Sequence, residues 1–149
     1  MLIAGGYNSG YSAATDIYDP ATNTFVTGPN MNIARGDTAA VLLPNGKFLI
    51  AGGGSPGVLA STELYDSTTN MFAPPSSTAT MNVAMARATA TLLTNGPDAG
   101  KVLILGGWSG DYPPDLFSTE LYDPVTNSFA SSTPTLSVER GNSTATLLH

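Results

Sequence analysis

Residues 49–53 read Leu-Ile-Ala-Gly-Gly, and this stretch decides the fold because the sequence contains it three times. The same five residues stand at 2–6, and Leu-Ile-Leu-Gly-Gly stands at 103–107, which gives offsets of 47 and 54 residues. Three consecutive apolar residues predict a strand that is covered on both faces, as strands are where sheets stack. The glycine pair after each run predicts a strand end at which the backbone needs a positive φ or a close approach.

The rest of each unit repeats as well. Each glycine pair is followed by a variable loop, a Thr-acidic-apolar-Tyr-Asp segment, a turn containing asparagine, a phenylalanine, and an apolar stretch that ends in Leu-Leu. Short apolar segments bounded by Gly, Pro, Asn or Asp indicate β-strands, and no segment has the periodicity of an amphipathic helix. We therefore predict an all-β fold in which Asn45-Gly46 forms a hairpin turn that uses positive φ. The repeated positions are Gly5, Gly6, Gly52, Gly53, Gly106, Gly107, Tyr18, Tyr65, Tyr122, Phe25, Phe72 and Phe129.

The composition excludes several classes of function. The chain carries 5 basic and 11 acidic residues, a formal charge of -6, which argues against nucleic acid as a partner. It has no cysteine, and its one histidine is the last residue, His149. Thiolate nucleophiles, Cys-based metal sites and histidine-based catalysis are therefore not expected, and we predict no cofactor. The longest apolar runs are far shorter than the ~20 residues of a membrane helix, so we predict no membrane span.

These repeated motifs resemble the kelch repeat, in a bacterial-style variant like those of galactose oxidase-like proteins. The resemblance covers residues 1–149 in units of approximately 1–47, 48–101 and 102–149, and a kelch repeat is about 50 residues long. Phenylalanine stands where eukaryotic kelch units usually carry tryptophan, which keeps the position apolar. The resemblance implies a kelch-type β-propeller with three four-stranded blades per chain. It also implies that the chain begins at the second strand of a blade, Met1 to Gly6, and ends with an innermost strand, Arg140 to His149.

Three blades do not close a propeller ring, which ordinarily holds ~4 to 8. Two arrangements answer this. A second copy of the chain completes a ring of six blades through a two-fold axis, or the chain is part of a larger propeller. The complementary ends fit the homodimer, and a trimmed fragment fits the sequence equally well.

Arginines near the start of each innermost strand are the first candidate binding residues. When the units are aligned on their Leu-Leu pairs, Arg35, Met85 and Arg140 share one position, and Arg87 stands at a different one. Two interpretations are open for Arg35 and Arg140. They pair with an acidic residue of the next unit or with loop carbonyls and so tie the units together, or they line the channel mouth, as arginines do in kelch domains that bind acidic peptides. Arg87 has left the repeat register and is the better candidate for binding.

The variable loop of the third unit is the richest in aromatic residues. Trp108, Tyr112 and Phe117, with Pro113 and Pro114, form a composition used for sugar stacking and for protein hot spots. The alternative is a loop folded over its own sheet with the rings buried. Asp111 and Asp115 are weak evidence for calcium, since two carboxylates without further oxygen ligands do not make a site, and we predict no metal.

The resemblance to galactose oxidase-like enzymes does not extend to their chemistry. Those enzymes need a copper site with two histidines and a tyrosine, and a cysteine crosslinked to a second tyrosine, whereas this chain has no cysteine and a single histidine, His149. We predict a non-catalytic module for protein or carbohydrate binding or scaffolding. The alternatives are a fragment of a larger secreted galactose oxidase-like or carbohydrate-active protein, and a self-associating cell-surface structural repeat. The neutral, hydroxyl-rich composition fits an extracellular or cell-surface location, although the absence of cysteine leaves the compartment open.

Overall fold

The described part of the chain is all-β and contains eleven strands. The computed structural model describes residues 1–110 and 116–148, and within them the only helical element is one 3-10 turn, Pro75–Ser77. The strands are β1 (Leu2–Ala4), β2 (Thr15–Asp19), β3 (Thr24–Thr27), β4 (Ala39–Leu42), β5 (Lys47–Ala51), β6 (Thr62–Asp66), β7 (Met71–Phe72), β8 (Thr89–Leu92), β9 (Val102–Leu105), β10 (Thr119–Asp123) and β11 (Ser128–Phe129). Within this part of the chain no helix has the length and apolar character that a membrane crossing requires.

The strands form three antiparallel sheets with neighbours in chain order. The first sheet is β1-β2-β3, the second is β4-β5-β6-β7, and the third is β8-β9-β10-β11. The predicted all-β class is confirmed, and each four-stranded sheet begins with the strand that follows the segment containing Arg35 or Arg87. Each four-stranded sheet therefore takes its first strand from the end of the preceding sequence unit.

The last segment of the chain differs from the prediction. Residues 140–148 contain no strand, and the first sheet has three strands instead of four. Residues 144–148 repeat the Thr-Ala-Thr-Leu-Leu of residues 89–93, and the first four residues of that earlier copy form β8 against β9. A strand needs a hydrogen-bonding neighbour, and within the described chain residues 144–148 have none. The same sequence is therefore extended into a sheet in one place and unpaired in the other.

The glycine pairs end strands as predicted, because neighbouring backbone leaves no room for a side chain. Gly52 follows β5 with a φ of +64, and a Cβ placed on it would collide with the carbonyl oxygen of Met85. The first glycine of the other two pairs meets the carbonyl oxygens of Arg35 and Arg140 in the same way. This contact confirms that Arg35, Met85 and Arg140 occupy equivalent positions.

The hairpin between β4 and β5 is confirmed, with one difference in its backbone. Leu43 donates its N–H to the Lys47 carbonyl at 2.8 Å, and Gly46 donates to the Leu43 carbonyl at 3.0 Å. Gly46 has a φ of +82, whereas Asn45 is not among the residues with positive φ. One positive φ suffices because the loop has three residues, whereas a two-residue type I′ turn needs two.

A tyrosine, an asparagine and a phenylalanine close the outer turn of every sheet. In the second sheet, Tyr65 donates its hydroxyl hydrogen to Asn70 Oδ1 at 2.9 Å, and its ring lies 5.2 Å from that of Phe72. Asn70 has a φ of +54, a conformation that asparagine tolerates better than most residues. The pattern recurs with Asn23 and Asn127.

The main core lies between the second and third sheets. Leu49 and Ala51 from β5 contact a buried cluster that includes Val102, Ile104 and Tyr122 of the third sheet. Burial raises the pKa of Tyr122, and the nearby Asp123 carboxylate adds to the effect. Stacking therefore buries all three apolar residues of the run at 49–51, whereas none of residues 2–4 is buried, and of residues 103–105 only Ile104 is.

Candidate functional site

The variable loops that follow the glycine pairs lie side by side at one end of the sheets. Gly36 and Gly54 exchange backbone hydrogen bonds of 3.0 and 2.8 Å, and Ala86 and Trp108 exchange bonds of 3.0 and 2.7 Å. Each bonded pair attaches the loop of one unit to the segment that precedes the first strand of the same sheet. Backbone pairing thus holds the loops in place although their sequences differ.

Neighbouring loops also contact each other through side chains. The Tyr11 ring lies against Gly54, where an added Cβ would come within 2.5 Å of the tyrosine hydroxyl oxygen. Val58 of the second loop lies against Gly110 of the third. We call the continuous surface formed by Tyr7, Tyr11, Asp37, Arg87 and Trp108 the loop rim.

Arg87 lies at the centre of the loop rim. Its Nε donates to Asp37 Oδ2 at 3.2 Å, and its guanidinium carbon lies 5.6 Å from the centre of the Trp108 ring. Its backbone N–H also donates to the Asp37 carbonyl at 2.8 Å. Arg87 has a φ of +57, an uncommon conformation for a long side chain. Among the described residues, no acceptor forms a hydrogen bond with its two terminal nitrogens, and the side chain is 45% exposed.

Two open grooves flank this arginine. The first, of about 490 Å³, is lined by Gly6, Tyr7, Tyr11, Gly36, Asp37 and Arg87. The second, of about 360 Å³, is lined by Tyr11, residues 54–58, Trp108, Ser109 and Gly110. Tyr11 contributes to both, and Tyr7 packs edge-on against it with ring centres 5.3 Å apart while remaining 73% exposed. The loop rim therefore offers aromatic surface beside a paired cation and carboxylate.

Arg35 lies away from this surface. The residue is 0% exposed, and its Nη1 donates to the carbonyls of Gly52 and Ser61 at 2.9 and 3.0 Å. Its Nη2 donates to Ser61 Oγ and to Glu63 Oε1, both at 3.1 Å. Burial lowers the pKa of the guanidinium, and the Glu63 carboxylate opposes that change. The geometry is that of the first interpretation, in which the arginine ties one unit to the next.

At each of the two junctions between sheets, a buried glutamate accepts hydrogen bonds from residues of the preceding unit. Glu63 accepts the Asn32 and Ile33 backbone N–H groups at 2.8 and 2.9 Å, in addition to Arg35. Glu120 accepts the Val83 N–H and the Asn82 side chain, both at 2.8 Å. The repeat pattern placed Glu63 and Glu120 at equivalent positions, but it was not used to predict that the asparagine of the preceding unit binds them. The signal was present, since Met-Asn precedes the arginine position in the first two units.

The remaining candidates have different surroundings. Arg140 is exposed, and Phe117 is 44% exposed. Trp108 is half-buried, so its ring is neither fully exposed nor fully enclosed. Tyr112 lies outside the described residues, as do Asp111 and Asp115. Tyr7, Tyr11 and Asp37 were not predicted as candidates, although the tyrosines stand in a variable loop where binding residues concentrate.

A third depression lies between hairpin turns. Pro44, Asn45, Lys101, Asp123 and Val125 are among its lining residues, and no aromatic ring is among those described there. The Lys101 ammonium group donates to Asp98 at 2.8 Å. This depression is less suited to recognition than the loop rim, because it lacks a stacking surface.

Within the described ranges, no three residues of the types His, Cys, Asp and Glu come close enough together to hold a metal ion. No family model matches the chain, and a search of curated proteins finds no significant match. The loop rim is thus characterised by its own geometry alone.

Proposed function

We propose that the chain forms blades of a kelch-type β-propeller and acts as a non-catalytic binding module whose ligand surface is the loop rim. The observation that carries this proposal is the groove that Tyr7 and Tyr11 line together with Arg87, whose guanidinium lies on the Trp108 ring. The three stacked sheets, their strand order and the repeated motifs support the propeller architecture. Binding function is favoured over catalysis because the rim supplies contact groups without an activated nucleophile or base.

A neutral carbohydrate is the ligand class that fits this surface best. Exposed aromatic rings bury the apolar faces of sugars, and the polar edges of Tyr and Trp remain free for hydrogen bonding. The Asp37 carboxylate accepts hydroxyl hydrogens, and the Arg87 guanidinium donates to hydroxyl oxygens. Because Asp37 partly neutralises Arg87, and because the chain carries a charge of -6, an acidic ligand is less favoured.

A protein ligand is the second candidate. Arg87 and Trp108 contact each other, and these residue types are enriched among the side chains that dominate protein interfaces. Both ligand classes would use the same residues, so one set of variants tests either.

The test is binding of the purified chain to an array of neutral and acidic oligosaccharides, followed by calorimetric titration of the best neutral ligand. The double substitution Arg87→Ala with Trp108→Ala should weaken binding at least about tenfold, since a desolvated contact of this kind contributes at least ~1.4 kcal/mol. Lys101→Ala removes a cation from the third depression and should leave affinity unchanged. Circular dichroism checks that both variants fold.

Unchanged affinity in the folded double variant would show that the ligand binds elsewhere. If no oligosaccharide binds the chain, the carbohydrate assignment fails. In that case, a protein ligand that binds the chain but not the double variant would support the second candidate.

A further inference from the structure

The three repeats provide an internal comparison of burial, because most sheet positions have equivalents in the other sheets. Glu63 of β6 and Glu120 of β10 are buried, whereas Asp16 at the same position of β2 is exposed. Ile50 is 1% exposed, and its equivalent Ile3 is 38% exposed. The first sheet therefore lacks a cover that the other two sheets have.

The uncovered residues of the first sheet share one face. Ile3 lies opposite Asp16 in the β1/β2 register, and Tyr18 lies opposite Phe25 in the β2/β3 register. Asp16 and Tyr18 are two residues apart on β2, so their side chains point to the same side. Phe25 is 63% exposed, and Tyr18 is only half-buried, although the equivalent tyrosines of the other sheets are buried. We call the surface formed by Ile3, Asp16, Tyr18 and Phe25 the entry face.

In the second and third sheets, the preceding unit covers the equivalent face. Arg35 and Asn32 donate hydrogen bonds to Glu63 at the first junction, and Asn82 donates to Glu120 at the second. A cover for the entry face should therefore bring hydrogen-bond donors to Asp16. It should also bring a strand to the free edge of β1.

The third unit carries both of these features without using them. Arg140 is equivalent to Arg35, yet its side chain is exposed and forms no ion pair with a described residue. Residues 144–148 repeat the sequence of β8 and the residue after it, yet they form no strand. Leu103 of β9 is half-buried, whereas its equivalent Leu49 is buried beneath the third sheet. The third unit thus has an unpaired cation, an unpaired strand sequence and a partly open apolar face.

We propose that a second copy of this chain covers the entry face, through a two-fold contact in which the third unit of each copy docks on the first sheet of the other. Residues 144–148 of the second copy pair with β1, with Thr144 opposite Ala4, in the register that Ala39 and Ala51 show between β4 and β5. Arg140 of the second copy pairs with Asp16.

Charge and symmetry both favour a second copy as the occupant. The entry face offers an unpaired carboxylate, and the third unit offers an unpaired guanidinium at the position that pairs with the acid at the first junction. A two-fold axis forms both contacts at once and covers the free edge of β1 and the open apolar faces of the first and third units, which removes a route to aggregation. The inference rests on the stacked sheets of the proposed architecture but not on the ligand.

The test measures the mass of the 149-residue chain in solution by light scattering and sedimentation over a range of protein concentrations. The unmodified chain should have twice the 15.2 kDa mass of one copy. Asp16→Arg alone and Arg140→Asp alone should each raise the dissociation constant at least tenfold. The double variant, in which the two charges are exchanged, should restore at least part of that loss. The control is Asp98→Arg, which makes the same change in charge on a turn away from the contact. This variant should still form the dimer.

The results separate this inference from the proposed ligand site. Monomeric behaviour of the unmodified chain at all concentrations would overturn the proposal, as would open-ended oligomers. If the folded single variants still form the dimer, or if the double variant restores none of the lost affinity, then Asp16 and Arg140 do not form the assigned ion pair. Substitutions at Arg87 and Trp108 should not change the mass, so loss of ligand binding and loss of pairing are measured independently.

Discussion

Replacing Arg35 by alanine should lower the free energy of unfolding by about 3–5 kcal/mol, the usual result of removing one partner from a buried ion pair. Arg35 is 0% exposed and makes four hydrogen bonds to Gly52, Ser61 and Glu63. Alanine would leave the Glu63 carboxylate without its cation. It would also leave a cavity and two carbonyl groups without their Arg35 donors.

The second junction supplies a matched comparison for this substitution. Met85 occupies the position of Arg35, and Glu120 is buried there without an arginine, accepting hydrogen bonds from Asn82 and Val83 instead. Arg35→Met fills the space and leaves Glu63 with its backbone donors. We therefore expect a loss of only about 1–3 kcal/mol, mainly from the two carbonyls that lose their donors.

Urea unfolding followed by tryptophan fluorescence measures these differences at one fixed protein concentration. The control is Arg87→Ala, which removes an exposed ion pair and should change stability by less than about 1 kcal/mol. If Arg35→Ala changes stability no more than the control does, then the buried pair does not hold the first two sheets together. Equal losses for alanine and methionine would show that cavity filling is unimportant at this position.

Two further substitutions test the repeated strand ends and turns, and a third, Gly57→Ala, serves as a control. Gly52→Ala should destabilise the protein by at least about 2 kcal/mol, because its Cβ would collide with the Met85 carbonyl, whereas Gly57→Ala, with open space around it, should be nearly neutral in thermal unfolding. Tyr122→Phe removes the hydroxyl bond to Asn127 and should lower stability by about 1 kcal/mol. Because the folded pKa of Tyr122 is raised, its contribution is present below the unfolded pKa of about 10 and falls as pH rises above it. The unfolding midpoints of the unmodified protein and of Tyr122→Phe should therefore converge at alkaline pH. A difference between these midpoints that stays constant up to about pH 12 would contradict this.

Local and repeated constraints were readable from the sequence. The Leu-Ile-Ala-Gly-Gly runs predicted both the strands and the points at which they end, because a positive φ and a close carbonyl exclude side chains at Gly52 and its equivalents. The hairpin at Asn45-Gly46 was predicted for a similar reason. A turn's backbone angles depend on the residues within it, so its existence could be inferred without knowledge of neighbouring sheets.

Contacts between sheets could be decided only by the tertiary structure. Arg35, Arg87 and Arg140 have the same side chain, yet one is buried against Glu63, one lies on Trp108 and one is exposed. The positions of Arg35 and Arg140 in the sequence left two interpretations open, because a guanidinium can pair with a carboxylate, a carbonyl or a ligand. The choice depends on which sheet lies next to each arginine in space. Stacking brings Glu63 within 3.1 Å of Arg35 across 28 residues of chain.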